Sequence, residues 1–260
     1  MLEDKPDIVP DKLKTNINIK IILGIIFAVF VFHVTINYGV EIDNADVIIS
    51  IFSFLNPLAV TIASFIVAAK YIDAGLYKKA YIALGFAYLM IFLGELTYLI
   101  YDIFLGIDPY PSIADVFFFM QYPLALAYLI LNIRFFATFT KRSKIWVVSL
   151  PIVILLIYAT IAFSELGEAG FDFFYGISFV ASASILLAFA VLGATIFREG
   201  LLGKAWMILV IGILSLTIGD IWYYYLEFLG EFDLTHPVNM FWYAGYWIII
   251  YALYKHKKTI

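Results

Sequence analysis

Two carboxylates stand deep inside long apolar runs of this chain, Glu95 within 80–104 and Asp220 within 205–229. An acid at the centre of a membrane span costs about 2.5–3.5 kcal/mol, and less off-centre, so such residues are read first as functional candidates. Each is followed at helical spacing by a tyrosine and a second acid. Glu95, Tyr98 and Asp102 stand at i, i+3 and i+7, and Asp220, Tyr223 and Glu227 repeat the register. That spacing places each trio on one helix face. Such a stripe offers acid/base chemistry by Glu95 and Asp220, a polar ligand pocket, or a proton path. The structural alternative is a pair of interhelical hydrogen bonds. The glycine before each acid, Gly94 or Gly219, lets a neighbouring helix approach.

Further polar residues are candidates for the same cavity. His33 and Asn37 share a face of the first apolar run at i and i+4, while Asp115 precedes the fourth run and Tyr122 and Tyr246 lie within the fourth and eighth. Asn56-Pro57 interrupts the second run, and proline removes a backbone hydrogen bond. Ser178, Ser182 and Ser184 lie in the sixth. His33 alone reads as a satisfied core histidine. His33, His236, Glu95 and Asp220 lack the spacing of a ligand set, so neither a metal nor a cofactor is expected. Aromatic residues crowd the same end of the runs, among them Tyr98, Tyr110, Phe118, Tyr122, Tyr223, Tyr224, Trp242 and Tyr246. They read mainly as interface belt and packing, with an aromatic cage for a cation as the sharper alternative.

The elements that must hold these residues are membrane helices. The 260 residues are 64% hydrophobic and only 14% charged, against about 45–50% and about 25% for soluble domains. Mean hydropathy is +0.99. A soluble fold of this length cannot hide that much apolar surface, which excludes a soluble enzyme, a nucleic-acid binder and a disordered regulator. Eight stretches reach the roughly 20 residues a bilayer requires: 19–40, 47–69, 80–104, 116–139, 145–164, 172–197, 205–229 and 237–254. They are too long, and too little alternating, for barrel strands. The expected fold is an all-α membrane protein of eight transmembrane helices. The first run has no small-residue cleavage site behind it and is expected to stay as an anchor. There is no cysteine, so thiolate metal sites and thiol nucleophiles are excluded.

Charge sets the expected orientation. All sixteen Lys and Arg fall at one end of the runs, while the opposite loops hold only acids, such as Glu41, Asp46, Asp108, Glu165, Asp172 and Asp233. The positive-inside rule then puts both termini in the cytoplasm of a multi-pass cell-membrane protein. Glu95 and Asp220 are each the sixteenth residue from the basic end of their run, about 24 Å in at 1.5 Å per residue, toward the outer surface.

The two halves are self-similar at an offset of 125. Gly75-Leu76 matches Gly200-Leu201, Lys79-Ala80 matches Lys204-Ala205, and Tyr158 stands opposite His33. Leu84, Leu89, Gly94, Tyr98 and Asp108 recur as Leu209, Leu214, Gly219, Tyr223 and Asp233, while Glu95 and Asp102 become Asp220 and Glu227. One deletion later, Asp115 faces Asn239 and Tyr122 faces Tyr246. The expected layout is a short arm (1–18), a first four-helix repeat (19–139), a second (145–254) and a tail (255–260). Four spans per unit make the repeats parallel about an axis along the membrane normal.

Other membrane chemistries fit poorly. Every lysine lies at the basic edge of a span, so no internal Schiff base is available. Tyr101-Asp102 lies at the outer boundary, and Thr217-Ile218-Gly219-Asp220 lacks the first glycine of an intramembrane aspartyl protease motif. Gly94-Glu95, Pro111-Ser112-Ile113-Ala114-Asp115 and Tyr122-Pro123 resemble a multi-span membrane sensor module. In bacterial signalling proteins it precedes diguanylate cyclase, phosphodiesterase or histidine kinase domains. Gly219-Asp220, Asn239 and Trp242 to Gly245-Tyr246 resemble its closing segment. The resemblance covers 80–254 and implies sensing; with no output domain after the last span, it implies signalling through a cytoplasmic partner. Gly94-Glu95 and Gly219-Asp220 are also similar in placement to the acids of eight-span lysoplasmalogenase-like proteins, where Glu95 stands in place of the first Asp. That likeness implies hydrolysis at a lipid head group.

The leading expectation is therefore a sensory, ligand-binding module in the lipid bilayer. Its pocket would take a small molecule or lipid in the outer half and be built from Glu95, Tyr98, Asp102, Asp220, Tyr223, Glu227, His33, Asn37, Asp115, Tyr122 and Tyr246. The alternatives are an intramembrane hydrolase or a proton-coupled transporter using Glu95 and Asp220, and a scaffold subunit. The basic loops and Lys255-His256-Lys257-Lys258 offer a partner surface or attraction to anionic lipid.

Overall fold

A computed structural model describes residues 18–71, 75–107, 109–136, 141–197 and 203–259. The arm 1–17, Asp108, Arg198 and Gly200-Leu201 lie outside the described residues. No strand occurs among the described residues. The chain forms α1 (Ile19–Gly39), α2 (Ile42–Lys70), α3 (Gly75–Leu99), α4 (Ile113–Phe136), α5 (Lys141–Leu166), α6 (Phe171–Phe197), α7 (Gly203–Leu229) and α8 (Asn239–Thr259). A π-helical turn, Ile100–Leu105, continues α3. Helices are what apolar runs must form where no water can satisfy the backbone. Seven of them, α1 to α7, are long and apolar enough to cross a membrane. α8 falls short because tyrosines dilute its apolar character and lysines occupy its last turns.

Local chemistry starts the helices. The Asn18 side chain accepts from the Lys20 amide at 3.1 Å and caps α1. Ser112 caps α4 by accepting from the Ala114 amide at 3.1 Å, and Asp115 reaches back to the Ser112 amide at 2.6 Å. This reciprocal pair is a capping box, so the most specific string in the sequence is first a helix start. Pro57 sits within an unbroken α2. Asn56 beside it donates to the Phe52 carbonyl at 2.8 Å instead of interrupting the helix.

Six helices close a ring. α2 packs on α3, α3 on α4, α4 on α6, α6 on α7, α7 on α8, and α8 returns to α2. α1 leans on the outside of α8 and α2, and α5 on α6 and α7. Accordingly α1 and α5 are the least buried of the seven apolar helices and α6 the most. Leu23, Phe27, Trp146 and Leu156 are more than half exposed on those outer helices. Such a surface is a liability in water but matches the hydrocarbon of a bilayer.

The basic end of the ring is plugged by aromatic side chains. Tyr71 and Tyr81 hydrogen-bond His256 Nε2 at 2.6 and 2.9 Å, and Tyr128 donates to Tyr81 at 3.4 Å. Trp206 stacks between Tyr128 and Phe197. Within the expected tail, 255–260, α8 continues to Thr259 and His256 is buried.

Candidate functional site

The opposite end of the ring holds a cavity of about 140 Å³. Its wall comes from the N-terminal halves of α2, α4, α6 and α8 and the C-terminal halves of α3 and α7, closed by Tyr110 and the 232–234 loop. The cavity thus sits beneath the loops that carry only acids. Glu95 and Asp220 both border it. They lie ten and nine residues from the ends of their helical segments, Leu105 and Leu229, so both are about 13–15 Å below the rim.

Two glycines set the depth of the wall. A Cβ at Gly94 would lie 2.6 Å from the Phe118 ring, and one at Gly219 2.7 Å from the Trp242 indole nitrogen. α4 and α8 therefore seat a large ring directly on the backbone of α3 and α7, immediately before each acid. At Gly219 this delivers a donor: Trp242 Nε1 bonds Asp220 Oδ1 at 2.9 Å. Tyr122, from α4, donates to the other oxygen, Oδ2, at 3.0 Å. Asp220 is held by two neutral donors from two helices. Glu95 has Phe118 where Asp220 has Trp242, and no described residue hydrogen-bonds its carboxylate.

A third carboxylate completes the wall. Asp115 holds the α4 cap with one oxygen and accepts from the Tyr175 hydroxyl of α6 with the other. Tyr110 closes the same corner by donating to Asp172 at 2.9 Å. Burial, and then that carboxylate, hold the Tyr110 phenol above its ordinary pKa. Rings pave the remainder: Tyr175, Phe179 and Tyr224 lie in sequence with centroids 4.9 and 4.8 Å apart, and Tyr223 lies 5.5 Å from Trp242. None of the wall residues is a Lys, Arg or His.

Seven of the eleven residues expected in the pocket line it: Glu95, Tyr98, Asp115, Tyr122, Asp220, Tyr223 and Tyr246. Four do not. Asp102 falls in the π turn and is exposed; the wider turn rotates it off the stripe that regular i+7 spacing implies. Glu227 shares a hydrogen bond with Tyr223 and lies beyond the wall. His33 and Asn37 pair with each other, and Asn37 donates to the Thr235 carbonyl at 3.2 Å, tying α1 to the 232–238 loop outside the ring. Ser178, Ser182 and Ser184 turn back onto carbonyls of their own helix. Sequence reasoning missed Ser50, Ser53, Gln121, Tyr175 and Phe179. Their types are ordinary within apolar runs, but Ser50 and Tyr175 stand 125 apart, a signal the self-similarity contained.

Among the described residues, no group of three or more His, Asp or Glu is close enough to hold a metal ion. No family model, curated protein or solved structure matches the chain. The reading of its function rests on this geometry.

Proposed function

We propose that the chain is a sensory or ligand-binding membrane module whose acidic, aromatic cavity receives a small molecule at the outer side of the bilayer. The observation that carries this is the convergence of Glu95, Asp115 and Asp220 on one aromatic-lined cavity within a closed ring of helices. Concave, mostly apolar sites with a few placed polar groups are the usual form of a small-molecule site. The uneven distribution of Lys and Arg supports an outward-facing cavity and cytoplasmic termini. We read α8 as an eighth span, since it pairs with α7 and α2 inside the ring.

Duplication accounts for the form of the site. Seven pairs of wall residues are related by offsets of 125 or, after the deletion, 124: Ser50/Tyr175, Glu95/Asp220, Tyr98/Tyr223, Leu99/Tyr224, Asp115/Asn239, Phe118/Trp242 and Tyr122/Tyr246. Of the joints between halves, α2 with α8 and α4 with α6 exchange under the same offset, while α1 also rests on α8. Both features support a pseudo-two-fold axis through the cavity. Tyr122 of the first half bonds Asp220 of the second, and its counterpart Tyr246 lies in the electrostatic neighbourhood of Glu95. A ligand that shifts these crossed contacts would move the halves against each other, which is a means of signalling to a partner on the basic side.

Native mass spectrometry tests the reading. The purified protein is compared with a Glu95→Gln/Asp220→Asn double variant. A discrete bound mass lost in the variant is expected. Identical spectra without a bound species would leave the acids structural and overturn the proposal.

A further inference from the structure

Resting on the ligand-binding reading above, we propose that the cavity takes a small organic cation, a free or alkylated ammonium, with Glu95 as its counter-ion. The wall holds three carboxylates, Glu95, Asp115 and Asp220, and no basic side chain. An anionic guest would meet repulsion and no cation to pair with. The carboxylates are not equivalent. Asp115 accepts from the Ser112 amide and Tyr175, and Asp220 from Tyr122 and Trp242. Glu95 receives no hydrogen bond from a described residue and faces the cavity. An ionised carboxylate in a largely apolar wall calls for a partner, so Glu95, half-buried at the cavity, is the wall's open acceptor. The surrounding rings present faces that attract cations and tolerate their alkyl groups.

Size and donor set narrow the class. A cavity of about 150 Å³ admits a benzene-sized guest, and this one is about 140 Å³. Hard divalent ions want about six to eight oxygen ligands, whereas no described cluster of acids is close enough to hold a metal. An ammonium, with one charge and an apolar body, matches one open carboxylate in an aromatic wall.

The test is calorimetric titration of the protein in nanodiscs with tetramethylammonium, butylammonium and choline. Each is compared with dimethylbutanol, the neutral carbon isostere of choline. At least one cation is expected to bind about tenfold or more tighter than the isostere. Glu95→Gln is expected to remove that preference, while Asp102→Asn, on the exposed turn, keeps it. The comparison on the unaltered protein stands even if the Glu95 variant misfolds. Equal binding of cation and isostere, or a preference that survives Glu95→Gln in a folded variant, overturns the cation assignment and leaves the ligand-binding reading in place. Failure of all three cations at millimolar concentration overturns it too. In that case the native mass spectrum separates the two failures, because a bound species lost in the double variant preserves the ligand-binding reading and its absence removes both.

Discussion

Asp220 shows how an acid is accommodated in a membrane span: each oxygen receives one hydrogen bond, from Tyr122 and from Trp242. Interhelical hydrogen bonds of this kind contribute about 0.6 kcal/mol on average and up to about 1.7 kcal/mol. Tyr122→Phe and Trp242→Phe are each expected to lower stability within that range, as read from thermal unfolding in detergent. The double variant should cost more than the sum, because the second loss leaves the carboxylate with no donor. Strict additivity would mean that the two bonds act independently. His256 is the opposite case, a base kept neutral. Burial lowers its pKa from 6.5 to about 4, in the turn beyond the apolar stretch 237–254. Its folded value lies below its unfolded one, so its contribution to stability is full above pH 6.5 and is lost as pH falls toward about 4. Melting temperatures between pH 7.5 and 4 should therefore fall less steeply in His256→Gln than in the parent. Parallel curves would show that His256 does not titrate in this window.

Helix contacts here depend on where a side chain is missing. Gly94→Ala would drive a methyl group to 2.6 Å from the Phe118 ring. Overpacking of this kind costs about 1–3 kcal/mol, and it should also spread α3 from α4 and impair the cavity. Gly24→Ala, with nothing within 4 Å of the added carbon, is expected to be neutral or to stabilise by up to about 1 kcal/mol, since alanine is the better helix former. Equal losses in both variants would mean that helix propensity, not the ring contact, sets the effect. At the start of α4, Ser112→Ala removes the cap and should cost about 0.5–2 kcal/mol. The helical class, the span positions and the polar stripe were legible in the sequence, because hydropathy and helical period are local properties. The departure of Asp102 was not. The change from α to π winding at Ile100 is not signalled by the residue types of Ile100–Leu105.

Orientation and assembly belong to the whole molecule. The chain has no cysteine, so single cysteines at Glu168, exposed between α5 and α6, and at Lys144, exposed at the start of α5, report topology directly. A membrane-impermeant maleimide applied to intact cells should label the first and spare the second until the cells are opened. The reverse pattern would place the cavity toward the cytoplasm. By itself the sequence determined the all-helical, membrane-like architecture, seven of the eight apolar helices it led us to expect, and the two acids within apolar runs. Composition, charge and 3.6-residue periodicity carry that information within single segments. Only the tertiary structure decided which faces meet: that Glu95 and Asp220 border one cavity, that Tyr175 and Phe179 pave it, and that His33 and Asn37 stay outside. It also decided that His256 is core. A cavity wall drawn from six helices depends on how each helix is rotated about its axis. In a bilayer, where lipid is as apolar as leucine, that rotation is set by packing and interhelical hydrogen bonds rather than by hydrophobicity.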